Sequence, residues 1–567
     1  MLFSYLAHRQ ACLDKQHERA ERIASLPQIY HEPLSPKDKQ ILSQPISSIV
    51  YSVQTSSLSP SEVITAYVKK ALQASAQTNC LTEVMITEAE KWARTTTRSG
   101  PLAGVPVSLK DMIGVKGFDS SMGFSAFTRR PMPCDSALVR LLRDAGAIPY
   151  VKTNVPITML SFEASNDVFG TTENPHKKGY SPGGSSGGES ALLALGGSRI
   201  GVGTDVAGSV RVPSHWSGVF AIKSSTHRFP KTGSAATIPG QEGVPSTHSP
   251  MARSLEDLET FWRAVFQMKP WEYDHSPEKV LHLPWREVRL PLERPIRWGV
   301  LWDDGVVAPS PACLRALKMV TDVLEKHGHE IVTLDSPNPY EGLQIASQLL
   351  AADGCKTISK TFRHFESNDA GMIPAMRALR LPRFVMKIYA WYLRYICRDL
   401  IYAGLVENFR EKSLAEYYAL ITRREDYRAR WFKVWRGTQV EGSSGDNGID
   451  FILTVPNPLP AVPHRGMRHG WKACNYTFLF NLLDYSAGVM PITRVTKDSD
   501  MLPSSFQPRN RIERNNYRMY DASAMEGLPV GVQVVGKRLD EERVLEAMKL
   551  IQSLMKDAGS PYEGLPL

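Results

Sequence analysis

The stretch from Ser181 to Arg211 is the densest run of small residues in this chain. It reads S-P-G-G-S-S-G-G-E-S-A-L-L-A-L-G-G-S-R-I-G-V-G-T-D-V-A-G-S-V-R, with glycines and serines crowding both ends around one short apolar run. Glycine loses much backbone entropy on folding, which makes such a stretch a poor core. Bare backbone can instead approach a substrate and point N–H groups at a developing negative charge. The stretch therefore indicates an active site.

The pattern of apolar runs and turn residues predicts strands that alternate with helices. Within the small-residue stretch we expect a loop at 182–188, a helix at 189–195, a strand at 200–203 and a second loop at 204–209. Further strands are predicted at 104–109, 147–152, 296–302, 329–334, 451–455 and 528–535, helices at 8–24, 63–72, 136–145, 312–327 and 541–555, and a polar glycine–serine loop at 437–448. This alternation favours an α/β fold with largely buried strands.

Three polar residues lie where an apolar strand or a glycine loop gives way to open backbone: Lys110, Ser185 and Ser209. A serine hydroxyl is a weak nucleophile unless a base takes its proton. The small-residue stretch has no histidine, and the nearest is His215. A buried lysine can serve as the base if its pKa falls several units below about 10.4. Ser209 could then attack while Ser185 passes the proton to Lys110.

The second loop is also expected to supply an oxyanion hole from the backbone N–H groups of residues 206–209. The residues predicted to bind the substrate or its oxyanion are Met159, Gly184, Val206, Ala207 and Gly208. The chain has no H-E-x-x-H motif, no metal-ligand cysteine spacing and no P-loop. We therefore expect no metal and no cofactor.

Other interpretations of these residues remain open. Residues 183–187 match G-x-S-x-G, the nucleophile elbow, which would make Ser185 the nucleophile with an acidic residue and a histidine downstream. A lysine after a strand is most often a surface charge, and a G-S-S-G segment is most often a turn. Asp205 and Arg211 are interpreted as an ion pair that stabilises the loop.

The motifs G-V-P-V-S-L-K-D (104–111), S-P-G-G-S-S-G-G-E (181–189) and G-T-D-V-A-G-S-V-R-V-P (203–213) together resemble the amidase signature family. The resemblance runs from about residue 45 to the C-terminus. It implies a large mixed twisted β-sheet covered by helices on both faces, with residues 1–44 as an N-terminal helical extension and 45–567 as the amidase domain.

The same resemblance implies amide hydrolysis through an acyl-enzyme, with Ser209 as nucleophile, Ser185 as a bridging serine in a cis peptide and Lys110 as base. Within the family, the chain looks most like the fatty acid amide hydrolase branch. That likeness rests on K-T-N-V-P-I-T-M (152–159), N-L-L-D-Y-S-A-G-V-M-P-I-T (481–493) and G-L-P-V-G-V-Q-V-V-G-K-R (527–538). Two features depart from the branch: Ala207 replaces the usual glycine, and the N-terminal transmembrane helix of some members is not found.

The segment 380–398 bears on the substrate. Its apolar and aromatic residues are predicted on one helical face and its basic residues on the other. The apolar set is Leu381, Phe384, Val385, Ile388, Tyr392, Tyr395 and Ile396, and the basic set is Arg383, Lys387, Arg394 and Arg398. This pattern is typical of an interfacial membrane helix. The alternative is a surface helix packed on the core or on a second subunit, although fatty acid amide hydrolases place a membrane-binding cap in this part of the chain.

Composition limits the partners and the compartment. The net charge of +9 favours an anionic partner such as a membrane surface, since no nucleic-acid-binding motif is present. Seven scattered cysteines read as reduced thiols, and we find no signal peptide and no transmembrane stretch. The sequence therefore predicts an intracellular, cytoplasmic protein, peripheral on an internal membrane if 380–398 binds lipid.

The sequence leads first to a serine amidase for hydrophobic amides, such as N-acylethanolamines and primary fatty amides, working as a homodimer. The second hypothesis is a general amidase for small or aryl-alkyl amides, with 380–398 in a dimer interface. A subunit of a transamidation complex and a catalytically inactive binding protein are weaker alternatives. The likeness to the fatty acid amide hydrolase branch argues against the transamidation subunit. The presence of all three triad residues argues against an inactive binding protein.

Overall fold

Apart from the helix expected over 380–398, the strands and helices predicted above are present, with bounds that shift by a few residues. The computed structural model describes residues 2–274, 280–291, 293–437 and 448–567. The strands are β1 (Leu81–Val84), β2 (Pro106–Lys110), β3 (Ile148–Thr153), β4 (Ser165–Asn166), β5 (Gly170–Thr171), β6 (Ile200–Asp205), β7 (Phe220–Lys223), β8 (Thr247–Ala252), β9 (Arg297–Val300), β10 (Glu330–Thr333), β11 (Phe451–Thr454), β12 (Ala487–Arg494) and β13 (Pro529–Val535). Of the loop predicted at 437–448, residues 438–447 lie outside the described residues.

The helices of the described ranges are α1 (Leu2–Ala24), α2 (Pro36–Ser43), α3 (Ile46–Gln54), α4 (Pro60–Thr78), α5 (Ile86–Thr95), α6 (Ala137–Asp144), α7 (Gly187–Ala194), α8 (Arg211–Ser217), α9 (Leu255–Gln267), α10 (Pro311–Lys326), α11 (Pro339–Leu350), α12 (Lys356–Ser359), α13 (Met372–Leu379), α14 (Arg383–Trp391), α15 (Leu400–Asn408), α16 (Leu414–Arg436), α17 (Met467–Gly470), α18 (Asn475–Leu482), α19 (Arg511–Tyr517) and α20 (Glu541–Asp557). Among these helices, none combines the length and the apolar character needed to cross a membrane.

Eleven strands form one mixed sheet in the order β1-β3-β2-β6-β8-β7-β12-β13-β11-β9-β10, and β4 pairs separately with β5. β2 runs parallel to β3 and β6, and β9 runs parallel to β10 and β11. The other neighbours are antiparallel. Every residue of β2, β3, β6, β8 and β13 is buried. Because side chains alternate between the two faces of a strand, these strands are covered on both faces, which confirms the predicted α/β fold.

The sheet brings the predicted site residues to one edge. β2 and β6 are parallel neighbours, with Ser108 opposite Gly201. Their carboxyl ends therefore lie side by side, and these ends carry Lys110 and Asp205. The loop before α7 closes over the same edge, since α7 packs on β2, β3 and β6.

The first helix is anchored to the sheet edge by a buried ion cluster. The Nζ of Lys15 on α1 lies 2.5 Å from Glu83 Oε1 on β1 and 2.9 Å from Asp119 Oδ2. Burial alone would lower the pKa of Lys15, but the two carboxylates outweigh it and raise the pKa. The helix α1 thus packs against β1 at the edge of the sheet.

Residues 372–408 are called the cap below. Within the cap, one helix was expected over 380–398, but α14 covers only Arg383–Trp391. Pro382 precedes the first turn of α14, and the helix ends in a π turn over Tyr392–Ile396. A proline restricts the residue before it away from helical geometry, which explains the late start. The buried stripe is Met386, Ala390 and Leu393, which packs on α15.

The apolar face predicted for this segment is therefore not the face that packs on the protein. Six members of the predicted set are between 44% and 66% exposed: Leu381, Phe384, Ile388, Tyr392, Tyr395 and Ile396. The seventh, Val385, is half-buried. The basic residues Arg383, Lys387 and Arg398 are exposed beside them. The segment does pack on the protein as a surface helix, but through its buried stripe, which leaves most of the predicted apolar face exposed.

Candidate active site

Lys110 is fully buried at the end of β2. Its Nζ lies 2.7 Å from Ser185 Oγ and 2.7 Å from Thr204 Oγ1, and 3.4 Å from the Thr204 carbonyl oxygen. Burial lowers the pKa of Lys110 to about 7, although Asp205, Glu189 and Asp111 oppose the shift. The lysine can therefore hold or release a proton near neutral pH, as a general base requires.

The peptide bond between Gly184 and Ser185 is cis. A Cβ on Gly184 would lie 2.1 Å from the carbonyl oxygen of Glu163. A Cβ on Gly183, whose φ is +93°, would lie 2.5 Å from the Pro213 Cα. Only glycine fits at either position, so the G-G-S sequence is required by close backbone packing. The Ser186 N–H donates to the Ser209 carbonyl at 3.1 Å and joins the two loops.

Asp205 and Arg211 stabilise the second loop, as interpreted from the sequence. Both side chains are fully buried, and Arg211 Nη2 lies 2.9 Å from Asp205 Oδ1. The same carboxylate accepts from the Gly208 N–H at 2.8 Å and the Val210 N–H at 3.1 Å. The guanidinium and these donors hold the pKa of Asp205 well below its usual range even though burial opposes them. The carboxylate organises the loop and does not face a substrate.

This contact changes the expected oxyanion hole. The Gly208 amide was predicted to be a free donor in the oxyanion hole. It donates instead to the Asp205 carboxylate. The amides of Val206 and Ala207 have no hydrogen-bond partner within the described part of the chain. Both residues are half-buried and line a cavity. The free amide donors at this cavity, within the described residues, are therefore those of Val206, Ala207 and Ser209.

Met159 lies on a strained turn beside the site. Thr158 and Met159 have φ values of +75° and +58°, in the left-handed region that β-branched and bulky side chains avoid. Strain of this kind persists only where the surrounding structure imposes it, and it clusters at functional sites. Met159 lines both cavities described below, whereas Gly184 lines neither and instead precedes Ser185 in the loop.

Two cavities meet at Ser209. The large cavity has a volume of about 410 Å³ and extends from Ser209 to Tyr389 and Tyr402 of the cap. The small cavity, about 210 Å³, is lined by Ser185 and by polar residues that include Lys231 and Gln241. The residues shared by both are Met159, Leu160, Val206, Ser209 and Leu350. A ligand held at Ser209 can therefore extend in two directions.

The nucleophile-elbow alternative lacks its structural context. An elbow places the serine between a strand and a helix, but residues 181–186 form no strand before α7. The Ser185 hydroxyl contacts the amine of Lys110. His215 is buried elsewhere, where Nε2 lies 3.1 Å from the Leu459 carbonyl and Nδ1 accepts from the Gly531 N–H.

The motifs and this geometry agree with comparison to known proteins. A family model for amidases matches residues 62–545. The chain belongs to the amidase family. This amidase is 33% identical to Amidase 1 of Gibberella moniliformis over 95% of this chain and 98% of that protein. It is 33% identical to fatty-acid amide hydrolase 1 of Sus scrofa over 92% of this chain and 88% of that protein.

A solved structure of a fatty acid amide hydrolase superposes with a TM-score of 0.81 at 26% identity, covering 97% of this chain and 95% of that one. The resemblance to the amidase signature family and the fold that it implied are confirmed. The chain is an amide hydrolase of this family.

Two residues near the site escaped the sequence analysis. Thr204 contacts Lys110 through both its hydroxyl and its carbonyl, and its place at the end of a strand beside Asp205 could have pointed to it. Lys472 lines the large cavity. It lies in a G-W-K-A segment with no recognisable pattern, and only the fold reveals its position.

Proposed function

We propose that the amidase hydrolyses hydrophobic carboxylic amides, including N-acylethanolamines and primary fatty amides, with Ser209 as nucleophile. The observation that carries the proposal is the Lys110–Ser185 contact of 2.7 Å at the wall of the cavity that Ser209 also lines. A lysine with a pKa of about 7 can accept a proton that a serine hydroxyl relays.

In the acylation step, the Ser209 Oγ attacks the amide carbon while its proton passes to Ser185, whose own proton passes to Lys110. The carbonyl oxygen becomes an oxyanion that the free amides of Val206, Ala207 and Ser209 stabilise. Lys110 then returns the proton through Ser185 to the amine nitrogen as the C–N bond breaks. Water attacks the acyl-enzyme by the reverse route, which releases the acid and restores Ser209.

The lining of the large cavity favours a hydrophobic acyl group. It is built mainly from aliphatic and aromatic side chains of the loop at Met159, of α11 and of the cap. Apolar surface buried there contributes roughly 25 cal/mol per Å² to binding. The small cavity is shorter and more polar, as suits an amine leaving group.

The cap supports action at a membrane surface. Its outward face combines exposed aromatic and aliphatic residues with Arg383, Lys387 and Arg398, and these cations have no ion-pair partner within the described residues. The large cavity reaches the inner side of the same segment through Met386 and Tyr389. The amidase would thus act as a peripheral protein on an internal membrane. A homodimer through this face is the competing arrangement.

The decisive experiment compares hydrolysis of a short amide and an oleoyl or arachidonoyl amide by the purified chain, with and without anionic vesicles. We expect the long amides to react faster, and vesicles to increase that preference. Ser209→Ala should abolish formation of the acyl-enzyme. Preference for short amides regardless of vesicles would make the protein a general small-amide hydrolase, and full activity of Ser209→Ala would overturn the nucleophile assignment.

A further inference from the structure

The large cavity holds an unexpected charge distribution. Among its lining residues in the described ranges, only Arg377 and Lys472 carry a charge, and both are cations. The remaining lining is mostly aliphatic and aromatic. Arg377 is exposed, whereas Lys472 is only partly exposed, between α17 and α18. A neutral hydrocarbon chain gives neither cation an interaction partner.

Lys472 is held inside this cavity by aromatic rings. Its Nζ lies 3.9 Å from the ring centroid of Trp471 and 4.9 Å from that of Tyr402 on α15. It forms no ion pair with any residue in the described part of the chain. Burial lowers the pKa of Lys472 to about 7. A lysine that merely extended to solvent would keep its ammonium in water and its stem on the protein.

We propose that the large cavity accepts amides whose apolar acyl chain carries a carboxylate, and that Lys472 binds this carboxylate. The inference rests on the proposed function, because it deepens the substrate class of the same site. A cation in apolar surroundings is costly unless an anion pairs with it. A carboxylate on the ligand would provide that pair in a position already supported by two aromatic faces.

The position of Lys472 separates this carboxylate from the reacting amide. The Thr477 hydroxyl on α18 donates to the Ala207 carbonyl at 2.7 Å, which ties the start of α18 to the loop of Ser209. Lys472 lies before α18 and turns towards Tyr402 of the cap. An acyl chain that runs from Ser209 towards the cap therefore passes Lys472. The matching compounds are monoamides of dicarboxylic acids, with apolar methylenes between the two ends.

The test compares monoamides of linear dicarboxylic acids with 6 to 14 carbons, chain lengths that roughly sample a cavity of this kind, against unsubstituted amides of equal length. For the native protein we expect a higher kcat/KM for the carboxylated member, by about tenfold or more, at one best chain length. Lys472→Met should remove this preference, so that carboxylated and neutral amides of equal length react with similar kcat/KM, and Lys472→Arg should retain much of the preference. Lys326→Met, which removes an exposed charge on α10, is the matched control and should change neither series.

Binding to a Ser209→Ala variant gives a readout without catalysis. Titration calorimetry with the best monoamide should give a Kd about tenfold lower than for the neutral amide, and Lys472→Met in that background should equalise them. Equal kcat/KM for charged and neutral amides, or a preference that Lys472→Met leaves intact, would overturn the inference while sparing the proposed function. Lys472-dependent binding with no hydrolysis of any amide would overturn the proposed function instead.

Discussion

Two regions of the amidase line the large cavity and are built on opposite principles. Residues 181–211, called the cradle here, are almost entirely buried, and their charged pair Asp205–Arg211 is fully enclosed. The cap exposes most of its aromatic residues, and its ion pair between Arg394 and Glu407 lies at the surface. The cradle holds atoms that must stay in one geometry, whereas the cap offers surface that requires an external partner. Substitutions in the two regions should therefore fail in different ways.

The largest effect is expected from Lys110→Met, because Lys110 contacts Ser185 of the cradle. If Lys110 is the base that we propose, its loss should lower kcat/KM by about 10²–10⁴-fold. Below its pKa of about 7 the lysine is protonated and cannot accept the Ser185 proton, so the native kcat/KM should fall about tenfold per pH unit on the acid side. Above that pH the native profile should level off.

Profiles of kcat/KM between pH 5 and pH 9, the range over which such a lysine changes charge, measure this prediction for both proteins. The variant should lose the inflection near pH 7 as well as the rate, while Lys326→Met keeps both. A native profile that stays flat through neutral pH would rule out Lys110 as the titrating base.

A second, smaller effect follows from Gly184→Ala. The new Cβ would meet the Glu163 carbonyl oxygen at 2.1 Å, so the loop carrying Ser185 must move. A displacement of about 1 Å in catalytic groups costs roughly 10² in rate. We also expect about 1–3 kcal/mol lower free energy of unfolding from overpacking.

The matched control is Gly305→Ala, where φ is +76° and a Cβ would meet nothing within 4 Å. It should cost about 1 kcal/mol of stability through its backbone conformation alone and leave kcat/KM unchanged. Steady-state kinetics and urea unfolding of both variants separate the two effects. Native activity of Gly184→Ala would show that the loop has more room than the distances imply.

The same contrast explains what could be predicted from the sequence. Lys110, Ser185 and the Asp205–Arg211 pair were recognisable because each depends on local neighbours: a strand end, a glycine loop and a six-residue spacing. The engagement of Gly208 by Asp205 was not, because loop direction decides which amides stay free. Seven of the eleven strands of the sheet were also predicted, since buried strands read as short apolar runs. The strands β1, β7, β8 and β12 were not predicted.

The cap was predicted less well. A helical wheel divides 380–398 into an apolar and a basic face, but the buried stripe is a third set, Met386, Ala390 and Leu393. Pro382 and the π turn change the direction of successive side chains, and only packing against α15 determines which of them point inward. The position of Lys472 in the cavity could not be predicted either, because it results from tertiary packing of a segment distant in sequence from the motifs at 104–111, 181–189 and 203–213.

A third prediction tests the exposed face of the cap. Ile388→Asp, at a residue 62% exposed, should weaken binding to anionic vesicles about tenfold, because an apolar side chain of this size contributes ~1.5–3 kcal/mol when buried. Hydrolysis of a short soluble amide should stay unchanged. Vesicle co-sedimentation measures the partition.

Tyr51→Asp on α3, at a residue 69% exposed outside the cap, makes the same change of charge and should bind vesicles normally. If Ile388→Asp instead leaves co-sedimentation intact and converts a dimer into a monomer by light scattering, the face is a subunit interface.

The smallest effect concerns the ion pair of the cap. Arg394 Nη2 lies 2.6 Å from Glu407 Oε2, and both side chains are about one third exposed, at 33% and 37%. Exposed pairs contribute ~0.2–1 kcal/mol because water screens them and ordering two long side chains costs entropy. Arg394→Ala and Glu407→Ala in a double-mutant cycle should give a coupling energy in that range.

The comparable change in the cradle is Arg211→Met, which would leave the buried Asp205 carboxylate without its cation. It should lower the free energy of unfolding, measured with urea, by about 3–5 kcal/mol. A coupling energy in the cap as large as the loss of stability in the cradle would mean that the cap is as rigidly built as the cradle. That result would count against adjustment of the cap to a membrane or a partner.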